Sequence, residues 1–303
     1  MVPRRQEELR LVASRLAYFD IPTLSVLQSV SSGLIETWDP MSYFHGLDED
    51  GFHSRCAAQA SATAPFFEVC HGGVPDIAGH SSSLYILHAV GGTARTVVIS
   101  DCATGYIWIY PLAGGSQADF EAVVKVHYAA VESRRTWVPS SSLLKEIFIS
   151  CPMPFPLPHK VSVSTPGRYG STLSTVVVLR PGLSRGQLVS QAGCMARQLG
   201  LRAAEYLHRG QLALSLFSPM LEAARFALNM RPRIGEMGPT VSRFRLWFAR
   251  PPYLGSVIAV PGSVVSSSLP CKLPMGCTSA LWMGTRDIRC TVSTRGNSRL
   301  PPR

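Results

Sequence analysis

The second half of this sequence is short of acid. Residues 151–303 contain 4 Asp and Glu against 19 Lys and Arg, a net +15, whereas residues 1–150 contain 15 acidic against 10 basic side chains, a net −5. Between Glu146 and Glu205 there is no Asp or Glu at all. Long apolar runs are also missing. Pro, Gly, Ser or a charge interrupts each candidate before the roughly 20 residues that a membrane-spanning helix needs, so no membrane span is expected. The eight cysteines (Cys56, Cys70, Cys102, Cys151, Cys194, Cys271, Cys277, Cys290) are scattered, and the opening Met1-Val-Pro-Arg-Arg-Gln-Glu-Glu has no apolar signal core. A reducing intracellular setting, nuclear or cytoplasmic, is expected. Cys271, Cys277 and Cys290 fit no common zinc-knuckle spacing, and no histidine follows His208 to join them. Gly91-Gly92 and Gly114-Gly115 lack the lysine and the strand-to-helix setting of a phosphate loop.

What is present is enough for a core. A chain of 303 residues that is 46% hydrophobic has length for one large domain or two modest ones. Its 23 prolines and 25 glycines predict frequent breaks in regular structure. The charge asymmetry predicts an electropositive C-terminal half. Arginine supplies most of its cations, and arginine takes phosphates bidentately while released counterions drive binding. The expected partner is DNA or RNA, and self-association into a homo-oligomer is compatible with the sequence.

Apolar spacing predicts an amphipathic helix over 4–19 and a short one over Ile21–Val30. The chain from Trp38 to Ala64 is polar and loop-like. Short β-type runs follow at Phe66–Cys70, Thr96–Ile99 and Ile107–Tyr110, the last two joined by Asp101-Cys-Ala-Thr-Gly105 as an antiparallel hairpin. Ser116-Gln-Ala-Asp119 opens a helix of capping-box type whose Phe120, Val123, Val124, His127 and Val131 share one face. From Ser133 to Leu216 the signal weakens. Pro152-Met-Pro-Phe-Pro-Leu-Pro158 forbids regular structure, Thr175–Leu179 reads as an isolated strand, and 193–215 as one or two helices. A clearer helix runs from Ser218-Pro219 to Asn229, and 256–265 reads as strands broken at Pro261-Gly262.

Four stretches together resemble the integrase region of copia-type retroelement polyproteins. Tyr18-Phe19-Asp20-Ile21-Pro22-Thr23-Leu24, Gly33-Leu34-Ile35 and the segment from Cys56 to Phe66 look like the zinc-binding piece that precedes the core. Phe67-Glu-Val-Cys-His71-Gly72-Gly73-Val74, then Arg95–Leu112 and the Ser116 helix, look like the first three strands and first helix of an RNase H-like core. Phe217–Pro232, with its Asn229-Met-Arg-Pro232 ending, and Leu246-Trp247-Phe248-Ala-Arg250-Pro look like the helix and segment after that core. The middle stretch, 133–216, is unlike the family.

The resemblance implies an α/β, RNase H-like fold, incomplete in this copy, with a small helical N-terminal segment and an irregular C-terminal tail. The expected division is a zinc-segment remnant over 1–65, a core over 66–216 that is degenerate after 132, and a basic post-core region over 217–303. It also implies magnesium-dependent strand transfer of element DNA. Two Mg²⁺ about 4 Å apart must be clamped by several hard oxygens for such chemistry. The family's first aspartate falls on Gly73 or, in a second register, on Ala89. Its second, in a Ser-Asp-x-Gly-Gly setting, has no counterpart in 133–216. The nominal catalytic carboxylates that remain are Asp76, Asp101 and Glu205. Asp101 suits the hairpin turn better, and Glu205 a surface pair with Arg202 or Arg209. Catalysis is therefore expected to be lost, with Mg²⁺ implied only by resemblance. His53 and Cys56 are the remaining zinc-type residues, and as two ligands of four they are not expected to hold Zn²⁺. Arg225, Arg231, Arg233, Arg243, Arg245 and Arg250 are the candidate phosphate contacts. The competing reading is a non-enzymatic basic nucleic-acid-binding or scaffold protein unrelated to transposition.

Overall fold

The computed structural model describes residues 21–34, 77–88, 95–112, 114–166, 172–181, 191–235, 238–254, 266–267 and 290–291. The helix expected over 4–19, the runs at 66–70 and 256–265, and Asp76, His53 and Cys56 lie outside them.

In chain order the elements are α1 (Ile21–Val30), β1 (Ser81–His88), β2 (Arg95–Asp101), β3 (Ile107–Leu112), α2 (Gln117–Ser133), β4 (Glu146–Ile149), β5 (Lys160–Pro166), β6 (Thr172–Pro181), α3 (Gln191–Gly210), α4 (Phe217–Met230), the hairpin β7 (Pro232–Gly235) and β8 (Gly238–Ser242), and α5 (Arg243–Phe248). The first six strands form one sheet in the order β3-β2-β1-β4-β6-β5. β1, β2 and β3 make an antiparallel meander; β1 then pairs in parallel with β4, and β4 with β6. Three antiparallel strands continued by two parallel ones, with a helix between the third and fourth, is the RNase H-like α/β arrangement. β5 adds a strand to its edge by pairing antiparallel with β6.

The alternation of side chains explains the layers. On β1–β3, Leu84, Ile86, Val97, Ile99, Trp108 and Tyr110 face the core beneath α2, while Tyr85, Leu87, Val98, Ile107 and Ile109 face α3 and α4. A sheet clothed on both faces must be apolar on both, and Thr96–Ile99 and Ile107–Tyr110 are. α2 begins as its sequence requires. Ser116 caps it through the Asp119 backbone N–H, and the Asp119 carboxylate accepts from the Ser116 backbone in return. The β2–β3 turn closes at Gly105, whose φ of 68° only glycine adopts freely.

Two expectations are corrected. The stretch 133–216 is not a broken core. It supplies β4, β5, β6 and α3, and Thr175–Leu179 lies inside β6, between β4 and β5, rather than standing alone. Nor does 217 open a separate region. α4 packs on α3 and β3, Trp247 of α5 is 2% exposed within the α2-side core, and Asn229 brackets Ile107 of β3 by accepting from its N–H and donating to its carbonyl. That bracket explains why the helix ends with asparagine: a side-chain amide satisfies both backbone groups of a buried edge strand. The chain after α5 returns to the N-terminal segment, where Ser32 and Tyr253 form a parallel bridge.

Candidate functional site

In open α/β sheets ligands bind outside the carboxyl ends of the parallel strands. Here that rim carries Leu87 and His88 at the end of β1, Ser150 and Cys151 after β4, and Pro181 at the end of β6. β1 ends at His88, and both Gly73 and Ala89, the two positions on which the first aspartate of the resemblance falls, lie outside the described residues.

Cys151 is buried, and its sulfur accepts from the Ile86 N–H at 3.3 Å. Burial pushes its thiol up, so it stays neutral. Ser150 is tied to Ser83, whose oxygen also accepts from the Ala192 N–H opening α3. A neutral thiol, hydroxyls already bonded within the core and apolar neighbours do not suit Mg²⁺, which demands hard, negatively charged oxygens. No group of three or more His, Cys, Asp and Glu that could hold a metal occurs among the described residues.

The sheet's acids stand at the other rim. Asp101 ends β2 opposite Ser82, near the start of β1, and Glu146 begins β4 opposite Ser81. Both are fully engaged. One Asp101 oxygen accepts from the Gly79 N–H, the other from the Thr104 N–H and hydroxyl, each at 2.8 Å. Burial nevertheless pushes the Asp101 carboxyl above its ordinary value, against the pull of those hydrogen bonds and of Arg134. Glu146 accepts from Ser81 and from Arg180. Glu205 lies on α3, which runs beside β1 from Ala192 at Ser83 to Gly200 at Leu87. Counting rises along strand and helix, Glu205 sits roughly 20 Å from Asp101. The fold therefore does not bring these two nominal catalytic residues together. Glu205 instead pairs with Arg202 at 2.9 Å, one turn away on its own helix.

The arginines divide in the same way. Arg225 pairs with Glu222 at 2.7 Å and reaches the Tyr106 hydroxyl, and Arg243 is buried, donating to the Leu228 carbonyl. Both are engaged by partners within the fold. Arg231 is partly buried, and the side chain of Arg233 lies outside the described residues. Arg245 and Arg250 are exposed. The Arg250 guanidinium rests over the Trp137 ring at 5.1 Å from its centroid. Trp137 was not among the candidates, because one tryptophan in a Ser/Pro-rich loop has no periodic partners to mark it.

A second group that sequence reading missed is polar and buried. His127 had been placed only as a member of an apolar helix face. Its Nε2 meets the Ser82 hydroxyl and its Nδ1 the Tyr110 hydroxyl, both at 3.1 Å, and the Trp108 ring packs edge-on against it. A serine bonded to a histidine has the form of a nucleophile and base, but Ser82 and His127 are both fully buried and no substrate reaches them. Desolvation pushes His127 down to about 3, so it is neutral in the fold and, with a partner on each nitrogen, costs little to bury.

The pH consequence follows from that direction. Unfolded His127 takes a proton near 6.5 and the folded residue only near 3, so between these values the unfolded state holds the extra proton. Stability should fall as pH drops through this window, by up to about 1.4 kcal/mol per unit from this group, and level off above it. Urea midpoints measured from pH 7.5 to 4 check this: the His127→Gln protein should show a shallower slope, and an unchanged slope would remove His127 as its source.

Among the described residues no helix is long and apolar enough to cross a membrane. No family model and no curated protein sequence matches the chain. Among solved structures it is similar to the catalytic core domain of BIV integrase in crystal form I, at 14% identity and a TM-score of 0.35, over 56% of this chain and 95% of that one.

Proposed function

We propose that this chain is an integrase-related protein of copia type whose RNase H-like core binds nucleic acid and has lost magnesium-dependent strand transfer. The observation that carries this reading is the content of the rim where β1 and β4 end. The resemblance implies an aspartate on the first strand, where this chain has Gly73 or Ala89, and a second in a Ser-Asp-x-Gly-Gly setting, whereas this chain has no Asp or Glu between Glu146 and Glu205 and Ser150-Cys151 after β4. Cys151 is held by the neighbouring strand's backbone, so the position persists as a packed site without charge. Among the described residues this rim carries no group of acids that could hold a metal, and without such oxygens metal ions cannot stabilise a leaving 3′ oxygen, the largest contribution such a site makes. The stretches that resemble the family, from Arg95 to Leu112, through the Ser116 helix, to Asn229 and Trp247, each have a structural reason to persist.

What remains is electrostatic. With 19 basic and 4 acidic side chains, residues 151–303 favour a polyanion, and the contacts are to phosphate rather than to base edges. Binding of a labelled duplex should weaken steeply as salt is raised from 50 to 200 mM and be indifferent to Mg²⁺. Affinity that requires a divalent ion, or that ignores salt, contradicts the reading.

A further inference from the structure

The loop after α2 and the turn after α5 meet in a surface feature that phosphate binding alone does not use. α5 stops at Ala249, which adopts a left-handed backbone with φ 55°, and the reversal folds Arg250 back over the helix. Its guanidinium carbon lies 5.1 Å from the centroid of Trp137 and 5.8 Å from those of Phe244 and Phe248, which pack on each other at 4.6 Å. Trp137 is nonetheless 59% exposed. Arg135, two residues before it, and Arg245 on α5 are exposed as well.

Acid is absent from both contributing segments: there is no Asp or Glu between Glu132 and Glu146, nor between Glu236 and Asp287. Three rings within 6 Å of the Arg250 guanidinium restrain it while the residue stays exposed, so little conformational freedom is lost when it meets an anion. An exposed indole beside an oriented guanidinium offers a π-face and a phosphate donor together.

We propose that Trp137, backed by Arg250, is a stacking platform for a base of single-stranded nucleic acid, with Arg135, Arg245 and Arg250 taking the flanking phosphates. The proposal rests on the nucleic-acid reading above and adds the strand state and the place. A duplex keeps its base faces against one another and could use these arginines but not the indole; an unpaired base can use both.

The test compares the anisotropy of a labelled oligothymidylate of about 12 nucleotides with that of a duplex of the same length, using the full chain. Trp137→Ala should weaken oligothymidylate binding about tenfold, the loss expected for one stacked base, and change duplex binding by less than about twofold. Trp137→Phe should restore most of the loss. Because Trp137 is exposed, the alanine protein should keep the parent's thermal midpoint, which is measured alongside. Equal weakening on both ligands, no weakening on either, or displacement of the oligothymidylate by poly-glutamate as readily as by unlabelled oligonucleotide would overturn the proposal. The last outcome would assign the patch to an acidic protein partner. If the parent chain binds neither nucleic acid, the broader reading fails along with this one.

Discussion

Truncating Trp247 to alanine is expected to lower the unfolding free energy by about 3–5 kcal/mol, a fifth or more of what a domain of this kind possesses. Three things are lost at once. The indole is 2% exposed in the core beneath α2, so its removal leaves a cavity. It stacks on Tyr106 at 5.7 Å and meets Trp108 edge-on at 4.7 Å, contacts that add to the area buried. Finally, the Arg134 guanidinium, held by donating to the Trp247 backbone carbonyl at 2.7 Å, sits 4.8 Å from the ring centroid and loses that π-face. Trp247→Phe should recover about half the loss. Urea unfolding followed by near-ultraviolet circular dichroism is the measurement. Equal midpoints for parent and alanine protein would mean that the segment 243–254 is not part of the folded unit.

Asp101→Ala should be nearly as damaging, and for a reason unrelated to catalysis. The substitution orphans the Gly79 N–H, the Thr104 N–H and the Thr104 hydroxyl, and removes the acidic neighbour of the buried Arg134. Unpaired buried donors cost about 1–3 kcal/mol each before relaxation, so a total near 3–5 kcal/mol is expected. Asp101→Asn separates this role from a metal-binding one. Whichever way the amide turns, its NH₂ faces an N–H donor, on the Gly79 side or the Thr104 side, and a loss of about 2 kcal/mol is expected. A metal ligand would behave differently: its amide variant would keep the parent's stability and lose only divalent-ion binding.

Much of this fold could be read from the sequence, and the parts that could not share a cause. The β2–β3 hairpin and α2 announce themselves because the information is local: Thr96–Ile99 and Ile107–Tyr110 flank a turn ending in glycine, and Ser116 with Asp119 forms a closed cap. β4 does not. It is four residues long, enters from Ser/Leu loop sequence and runs straight into Pro152–Pro158, so only its parallel neighbours β1 and β6, 65 and about 30 residues away, define it as a strand. β6 had the composition of a strand but no visible partner for the same reason. The site fared similarly. The lack of acid over 147–204 was plain from the sequence, whereas the use of Cys151 as a backbone acceptor, the burial of His127 between two hydroxyls and the meeting of Trp137 with Arg250 all depend on segments that only the sheet brings together. Of the six candidate arginines, Arg225 is paired with Glu222 and Arg243 is buried, and charge patterning counts cations without seeing how each is partnered.

A strand-transfer assay decides the matter most directly, with a plasmid target, pre-processed donor ends, and Mg²⁺ or Mn²⁺, run on the same samples whose DNA binding is followed by anisotropy. The expected result is salt-sensitive, metal-independent binding and no joined product. Joined product that depends on the divalent ion and disappears in the Glu205→Gln protein, with binding unchanged, would show that the acids do converge on metal and that the uncharged rim around Cys151 has been misread.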